Sequence, residues 1–399
     1  MPITPRLRLV FLSTIVFLLT SSVALAQHEG GVTGGGIIGG GSTERSSKPA
    51  PKPANKPSST TKPAPRRTST PAPVKRPTTT SLSAADYYEQ GEALYNAKKY
   101  REALEPYLKA TQINPSMSSA LYRIGWIYND LEEYENAIDP MKRVTAIQPT
   151  YAAAHFELGY AYKKMERYEE ALGSFLRTVQ LKPDYASAYY ELGWIYNEQK
   201  NYNDAIKTLN TAISYRSNYP DAYNELGYAM RNLNRNGEAI QMYQEAIKQK
   251  PDMGLAYLGL ADVYYYNTKQ YAEAAKNYKQ GLQYRPNSAT AEYNLGWCYN
   301  DLQRYPEAVD ELRKAVKLRP NYAEAYNEMG YSLHQLGRYT EAVQQYLIAV
   351  RQKTDYASAH YNLGMSYLAL NNRNGALEQY RILQRIDSAR ATKLFNHMK

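Results

Sequence analysis

The sequence predicts an all-α solenoid, a row of stacked helix pairs, over most of its length. Three observations predict it. Glycines recur at Gly91, Gly125, Gly159, Gly193, Gly227, Gly296, Gly330 and Gly364, with Ala261 standing in once, in steps of 34 residues and a single step of 35. A fixed period of that size marks a stacked array. An alanine follows in every period (Ala103, Ala137, Ala171, Ala205, Ala239, Ala274, Ala308, Ala342 and Ala376). Finally, Pro115, Pro149, Pro183, Pro251, Pro286 and Pro320 stand where a second helix must stop and the chain turn into the next unit.

Taken in order, the chain opens with Arg6 and Arg8, an uncharged run from Leu9 to Leu19, and small residues ending in Ala24-Leu25-Ala26. That pattern predicts a signal peptide over 1–26, cleaved after Ala26, and export to the periplasm or outside. The alternative is an uncleaved signal-anchor in the inner membrane, because Leu9 to Ala26 is nearly long enough to span a bilayer. Residues 27–83 are glycine-rich, then rich in Pro, Lys, Ser and Thr, and predict a disordered linker. Gly34-x-Gly36-x-x-Gly39 inside it matches a dinucleotide-binding pattern by letter alone, with no strand or helix pattern around it.

With the glycine counted as eighth, nine units follow: 84–117, 118–151, 152–185, 186–219, 220–253, 254–288, 289–322, 323–356 and 357–390. A capping segment is expected at 391–399. In the fourth unit, Tyr189, Leu192, Gly193 and Tyr196 fall at the 3–4 spacing of one helix face, helix A. From about Asn203, Ala205, Leu209 and Ala212 make the inner stripe of helix B. A helical glycine costs about 1 kcal/mol relative to alanine. Its recurrence therefore predicts close approach of the two helices, glycine against the Ala205 slot. Pro106 and Pro140 fall inside helix B of the first two units and predict kinks there. The sixth unit carries one extra residue near Thr268.

His155, Leu158-Gly159, Tyr162, Tyr168, Ala171, Phe175 and Pro183 of the third unit, repeated in phase along the chain, resemble the tetratricopeptide repeat (TPR). The resemblance implies antiparallel helix pairs stacked into a right-handed superhelix, with helices A lining a concave groove that binds protein or peptide segments. It also implies that the face of helix A carrying Tyr190, Trp194 and Asn197 is the concave one. Along that face Trp126 with Asn129 is followed by Tyr160 with Lys163, Trp194 with Asn197, then Tyr228 with Arg231. After the sixth unit, Trp297 with Asn300 is followed by Tyr331 with His334. With Tyr122, Phe156, Tyr190 and Tyr293 these make an aromatic stripe edged by polar groups, and such stripes mark interaction sites. The alternation of Trp–Asn with Tyr–Lys or Tyr–Arg reads as a partner-binding pattern rather than a stacking requirement.

Chemistry is scarce. No two histidines have metal-ligand spacing, and no nucleophile elbow or phosphate loop occurs. The lone Cys298 sits in a small packing slot, so disulfide and cysteine–zinc frameworks are excluded. Net charge is +10, but the first 83 residues carry it. The array is nearly neutral and has no nucleic-acid footprint. The expected protein is not an enzyme and needs no cofactor or metal. Its expected function is a scaffold of the cell envelope that holds a protein or peptide segment of another envelope protein. The alternative is a protein binding cell-wall carbohydrate on the same rings.

Overall fold

The computed structural model describes residues 81–399. The expected signal peptide and all but the last three residues of the expected linker lie outside the described residues. Every regular element among the described residues is helical, and they fall into two compact units. In the described part of Gly41–Arg319 the order is α1 Ala84–Asn96, α2 Tyr100–Ile113, α3 Ser118–Asp130, α4 Tyr134–Ile147, α5 Ala152–Lys164, α6 Tyr168–Leu181, α7 Ala186–Glu198 and α8 Tyr202–Tyr215. Then come α9 Pro220–Asn232, α10 Asn236–Gln249, α11 Gly254–Asp262, α12 Tyr271–Tyr284, α13 Ala289–Asp301 and α14 Tyr305–Leu318. Pro320–Lys399 holds α15 Ala323–Gln335, α16 Tyr339–Gln352, α17 Ala357–Ala369, α18 Arg373–Ile386 and α19 Ser388–Met398.

Local chemistry starts and stops these helices. Ser83 and Asp86 form a reciprocal capping box at the head of α1, each satisfying a backbone N–H of the other. The second helix of each pair from α2 to α16 carries an acid in its first turn, where the helix dipole favours negative charge. The turn between paired helices needs one left-handed residue. It is Lys98, Glu132, Glu166, Lys200, Asn234, Lys269, Gln303 and Asn371 in eight pairs, and glycine only at Gly337. The sequence does not mark this turn, because six of its nine left-handed residues are neither the glycine nor the asparagine that such a conformation favours.

Each helix packs on the next along each unit, and first helices also touch one another (α3 with α5, α7 with α9, α9 with α11). All nine facing alanines are fully buried. Around the glycines a second, larger neighbour is nearer: a side chain built at Gly296 would meet Leu312 at 2.6 Å before the backbone of the facing Ala308 at 3.3 Å. A side chain at Gly193 would meet Leu209 Cγ at 2.5 Å, and one at Gly91 would meet Tyr107 at 2.6 Å. The same holds for Gly159 against Phe175 and Gly330 against Tyr346. The expectation of a close approach is thereby sharpened: the glycine also makes room for a large core residue one helical turn past the alanine. Glycine without such a neighbour is simply a weak helix former. Gly173, exposed in α6 with no atom within 4 Å of a built side chain, is one. Gly173→Ala should stabilise the protein by about 0.5–1 kcal/mol in thermal or denaturant unfolding.

Two irregularities expected from sequence resolve differently. α2 and α4 run through Pro106 and Pro140 and keep the 14-residue length of their sisters. The extra residue of the sixth repeat is absorbed as a π-helical turn, Val263–Asn267, which replaces the last turn of α11. Its wide bond runs from Thr268 N–H to Val263 O at 3.1 Å. At the C-terminus, α19 lays Leu394 against Gly364 and stacks Phe395 on Tyr380, 5.4 Å between centroids.

Candidate interaction face

The face singled out on the first helices separates into three sets of residues. The first set is Tyr122, Phe156 and Tyr190. Their rings lie 5.1, 5.0 and 5.0 Å from Tyr151, Tyr185 and Tyr219, the tyrosines that lead into the following first helix. Phe156 and Tyr190 are buried, so these two belong to the packing between repeats rather than to an open stripe.

The second set is the polar residue three positions past each ring. Asn129 donates to the Glu157 carbonyl at 3.0 Å and carboxylate at 2.9 Å. Asn197 donates in the same way to Glu225, 3.0 Å in both cases. Lys163 takes the equivalent place with Glu191, again 28 residues on. Arg231 pairs with Asp262, because the glutamate's position in that repeat is Gly259. Asn129 and Asn197 are 2% exposed and Asn300 is buried too. The alternation of Asn with Lys or Arg is therefore an alternation of neutral and charged clasps between successive repeats. The sequence-based reading that stacking does not need these residues is corrected by these bonds.

The third set keeps surface. Trp126, Tyr160, Trp194 and Tyr228 are each half-buried. Each meets a tyrosine of the preceding repeat edge-on: Tyr100 at 5.4 Å, Tyr134 at 6.2 Å, Tyr168 at 6.0 Å and Tyr202 at 6.2 Å. None of the four is fully buried, so each retains some accessible surface. Trp297 and Tyr293 are half-buried as well, their rings 5.6 Å apart. Within Pro320–Lys399, Tyr331 is exposed. His334 places Nδ1 2.8 Å from Ser366 Oγ and its ring edge-on to Tyr339, and burial lowers its proton affinity.

Electrostatics differ between the clasps. Glu225 has only amide partners, Asn197 and Asn224, with Glu198 adding repulsion and Lys163 a weaker attraction. Desolvation dominates and pushes its carboxyl up to about 7. A carboxyl raised in the folded state favours folding below its unfolded value near 4.5, and that contribution fades as pH rises through 7. Glu225→Gln should remove a stability loss on the order of 2 kcal/mol between pH 5 and pH 8. Denaturation midpoints of both proteins across that range check it; parallel pH curves would contradict the assignment.

The other titratable candidates sit in packed or hydrogen-bonded positions. Burial holds Cys298 as a thiol, pushing its ionisation up. His360 is clamped between Gln379 Oε1 at 2.8 Å and Thr354 O at 3.0 Å. His155 bonds to Pro149 O at 3.1 Å. Among the described residues no cluster of three His, Cys, Asp or Glu could hold a metal.

Comparison with known proteins accords with this architecture. A family model described as "TPR repeat" matches residues 125–166, 298–337 and 330–371. One described as "Tetratricopeptide repeat" matches 156–223, 199–254 and 224–275. Among solved structures, the chain is similar to YrrB, a TPR protein with an unusual peptide-binding site, at 26% identity over 47% of this chain and 97% of that one, TM-score 0.44. It is similar to MamA at 25% identity over 40% and 94%, TM-score 0.39. Pseudomonas aeruginosa PilF gives 20% identity over 54% and 97%, TM-score 0.47. No curated protein matches the sequence. Repeated matches to two models of one repeat, on a chain of consecutive helix pairs, identify the protein as a member of the tetratricopeptide repeat family.

Proposed function

We infer that this chain is a non-catalytic protein–protein interaction scaffold of the cell envelope, gripping a peptide or protein segment of an exported partner on the first-helix face. Arrays of this family support protein–protein interaction. The observation that carries the finer reading is the row of half-buried rings, Trp126, Tyr160, Trp194 and Tyr228. Each rests against a tyrosine of the preceding repeat and still keeps part of its surface accessible, with Lys163, Lys164 and Arg231 lying over Trp194, Tyr160 and Tyr228. Tyr and Trp in such positions supply most of the energy at protein interfaces. Export rests on the positive, apolar and Ala-x-Ala pattern of residues 1–26.

The test begins with a partner co-purified from the exported fraction and its affinity measured by calorimetry. Replacing Trp126, Trp194 and Trp297 together by Ala should weaken it at least about 100-fold, since hot-spot truncations cost about 2 kcal/mol or more each. Phe replacements, which keep a ring, should weaken it far less. Unchanged affinity with retained helicity would remove the groove from the function. Binding of a neutral cell-wall glycan, with no protein partner, would instead favour a carbohydrate receptor.

A further inference from the structure

The π-helical turn occurs in the sixth repeat alone among the described residues; it buries Val263 in the core and reorganises the rings next to it. π-turns are rare insertions that often accompany functional sites. Here the turn carries Tyr265 and Tyr266 into contact with Trp297 of the following repeat, at centroid distances of 5.5 and 6.5 Å. Tyr293 also packs on Trp297, at 5.6 Å. The tyrosine hydroxyls are fixed from behind: Tyr265 donates to Asp301 Oδ2 at 2.6 Å and Tyr266 to Asn294 Oδ1 at 3.1 Å. Tyr266 remains 42% exposed and Asp301 is exposed. The result is a corner of aromatic rings with a carboxylate at its rim.

The chain itself shows what such a corner holds. Over Trp194 lies Lys163 Nζ, 4.3 Å from the ring, with Glu191 as its carboxylate. Beside Trp126, the Arg123 guanidinium lies 4.1 Å over Tyr95, a ring packed on that tryptophan, with Glu92 as its carboxylate at 2.7 Å. Two of the three tryptophan corners are thus completed by an internal cation and an acid. At Trp297 the rings and a carboxylate, Asp301, are present, but the uncharged Tyr266 occupies the place that Lys163 has 31 residues before Trp194, and like Lys163 it bonds to the residue 28 further on, Asn294. Among the described residues no cation stands over the Trp297 ring. Partial burial raises the Asp301 carboxyl, while the Tyr265 hydroxyl and then Lys269 of the adjoining turn oppose that shift.

We propose that Tyr266, Trp297 and Tyr293, with Asp301 at the rim, form a subsite for a cationic side chain, a lysine or arginine of the bound segment. Ring quadrupoles attract a cation on their faces, and Asp301 adds a charge of opposite sign. Only the origin of the cation rests on the scaffold reading; the subsite itself does not.

The experiment uses the full-length protein, with the three indole N–H resonances followed by NMR and assigned by single Trp→Phe variants. Tetramethylammonium is the first probe, tert-butanol its neutral counterpart, and an octapeptide with one lysine among Gly and Ser the second. Tetramethylammonium and the lysine peptide should shift the Trp297 resonance saturably, while tert-butanol should not. Tyr266→Leu should weaken binding about fivefold or more, Tyr266→Phe should not, and Asp301→Asn should weaken it about threefold, in keeping with cation–π and exposed ion-pair strengths. No movement of Trp297, or an equal shift with tert-butanol, overturns the subsite. So does a shift with a neutral oligosaccharide alone. If the partner is lost on replacing Trp126 and Trp194 while Trp297 ignores the cation, the subsite fails and the scaffold reading stands. A cation response without any such partner loss has the opposite meaning.

Discussion

Lys163→Met should lower the unfolding free energy by about 3–5 kcal/mol, the usual cost of breaking one side of a buried ion pair. Lys163 joins the third repeat to Glu191 of the fourth, with side-chain exposures of 12% and 2%. Methionine fits the aliphatic stem but leaves a carboxylate inside the interface with no cation. It also uncovers the ring of Trp194. Lys163→Asn should cost less than half as much, because Asn129 and Asn197 show that an amide in this slot can donate to both the carbonyl and the carboxylate of the next repeat. Urea denaturation measures the loss, and hydrogen exchange in α5 and α7 localises it. Repeat arrays are stabilised by nearest-neighbour interfaces, so opening should concentrate at this junction. Equal losses for Met and Asn would mean that packing, not charge, dominates the clasp.

Tyr243→Ala should cost about 3–5 kcal/mol, as expected for a large aromatic removed from a core. Tyr243 is 2% exposed and lies between two first helices. A side chain at Gly227 of its own repeat would meet the ring at 3.0 Å, and one at Gly259 of the next at 2.5 Å. With glycine on both sides nothing else can fill the space, so the cavity cannot collapse cheaply. Tyr243→Phe should cost far less, since it keeps the ring. Calorimetric unfolding of the two variants separates ring volume from the hydroxyl.

Much of the fold was legible because stacking is a local and periodic problem. Gly193, Ala205 and Tyr196 recur in phase because every repeat must solve the same contact. The left-handed turn residues were not legible: Lys98 or Glu132 carries no compositional mark of its backbone conformation. The candidate site was half legible. Helix geometry grouped Trp126, Tyr160, Trp194 and Tyr228 on one face. Variation at Asn197 and Lys163 was mistaken for freedom from the fold, when each had a compensating acid one repeat away. Glu157, Glu191 and Glu225 were visible in the sequence at constant spacing from those residues, and that spacing was the overlooked clue.

The sequence by itself determined the repeat, its period, the helix pairs and the face bearing the aromatic rings, because those follow from residue spacing along single helices. Tertiary structure decided how that face divides. Tyr190 and Phe156 are drawn into the core, Asn197 and Lys163 clasp the next repeat, and Trp126, Trp194 and Trp297 stay half-buried. It also decided that one inserted residue becomes a π turn that gathers rings around Trp297. The physical reason is the same in each case. Spacing sets the direction of a side chain from its own helix, but burial and pairing depend on what the neighbouring repeat brings to meet it.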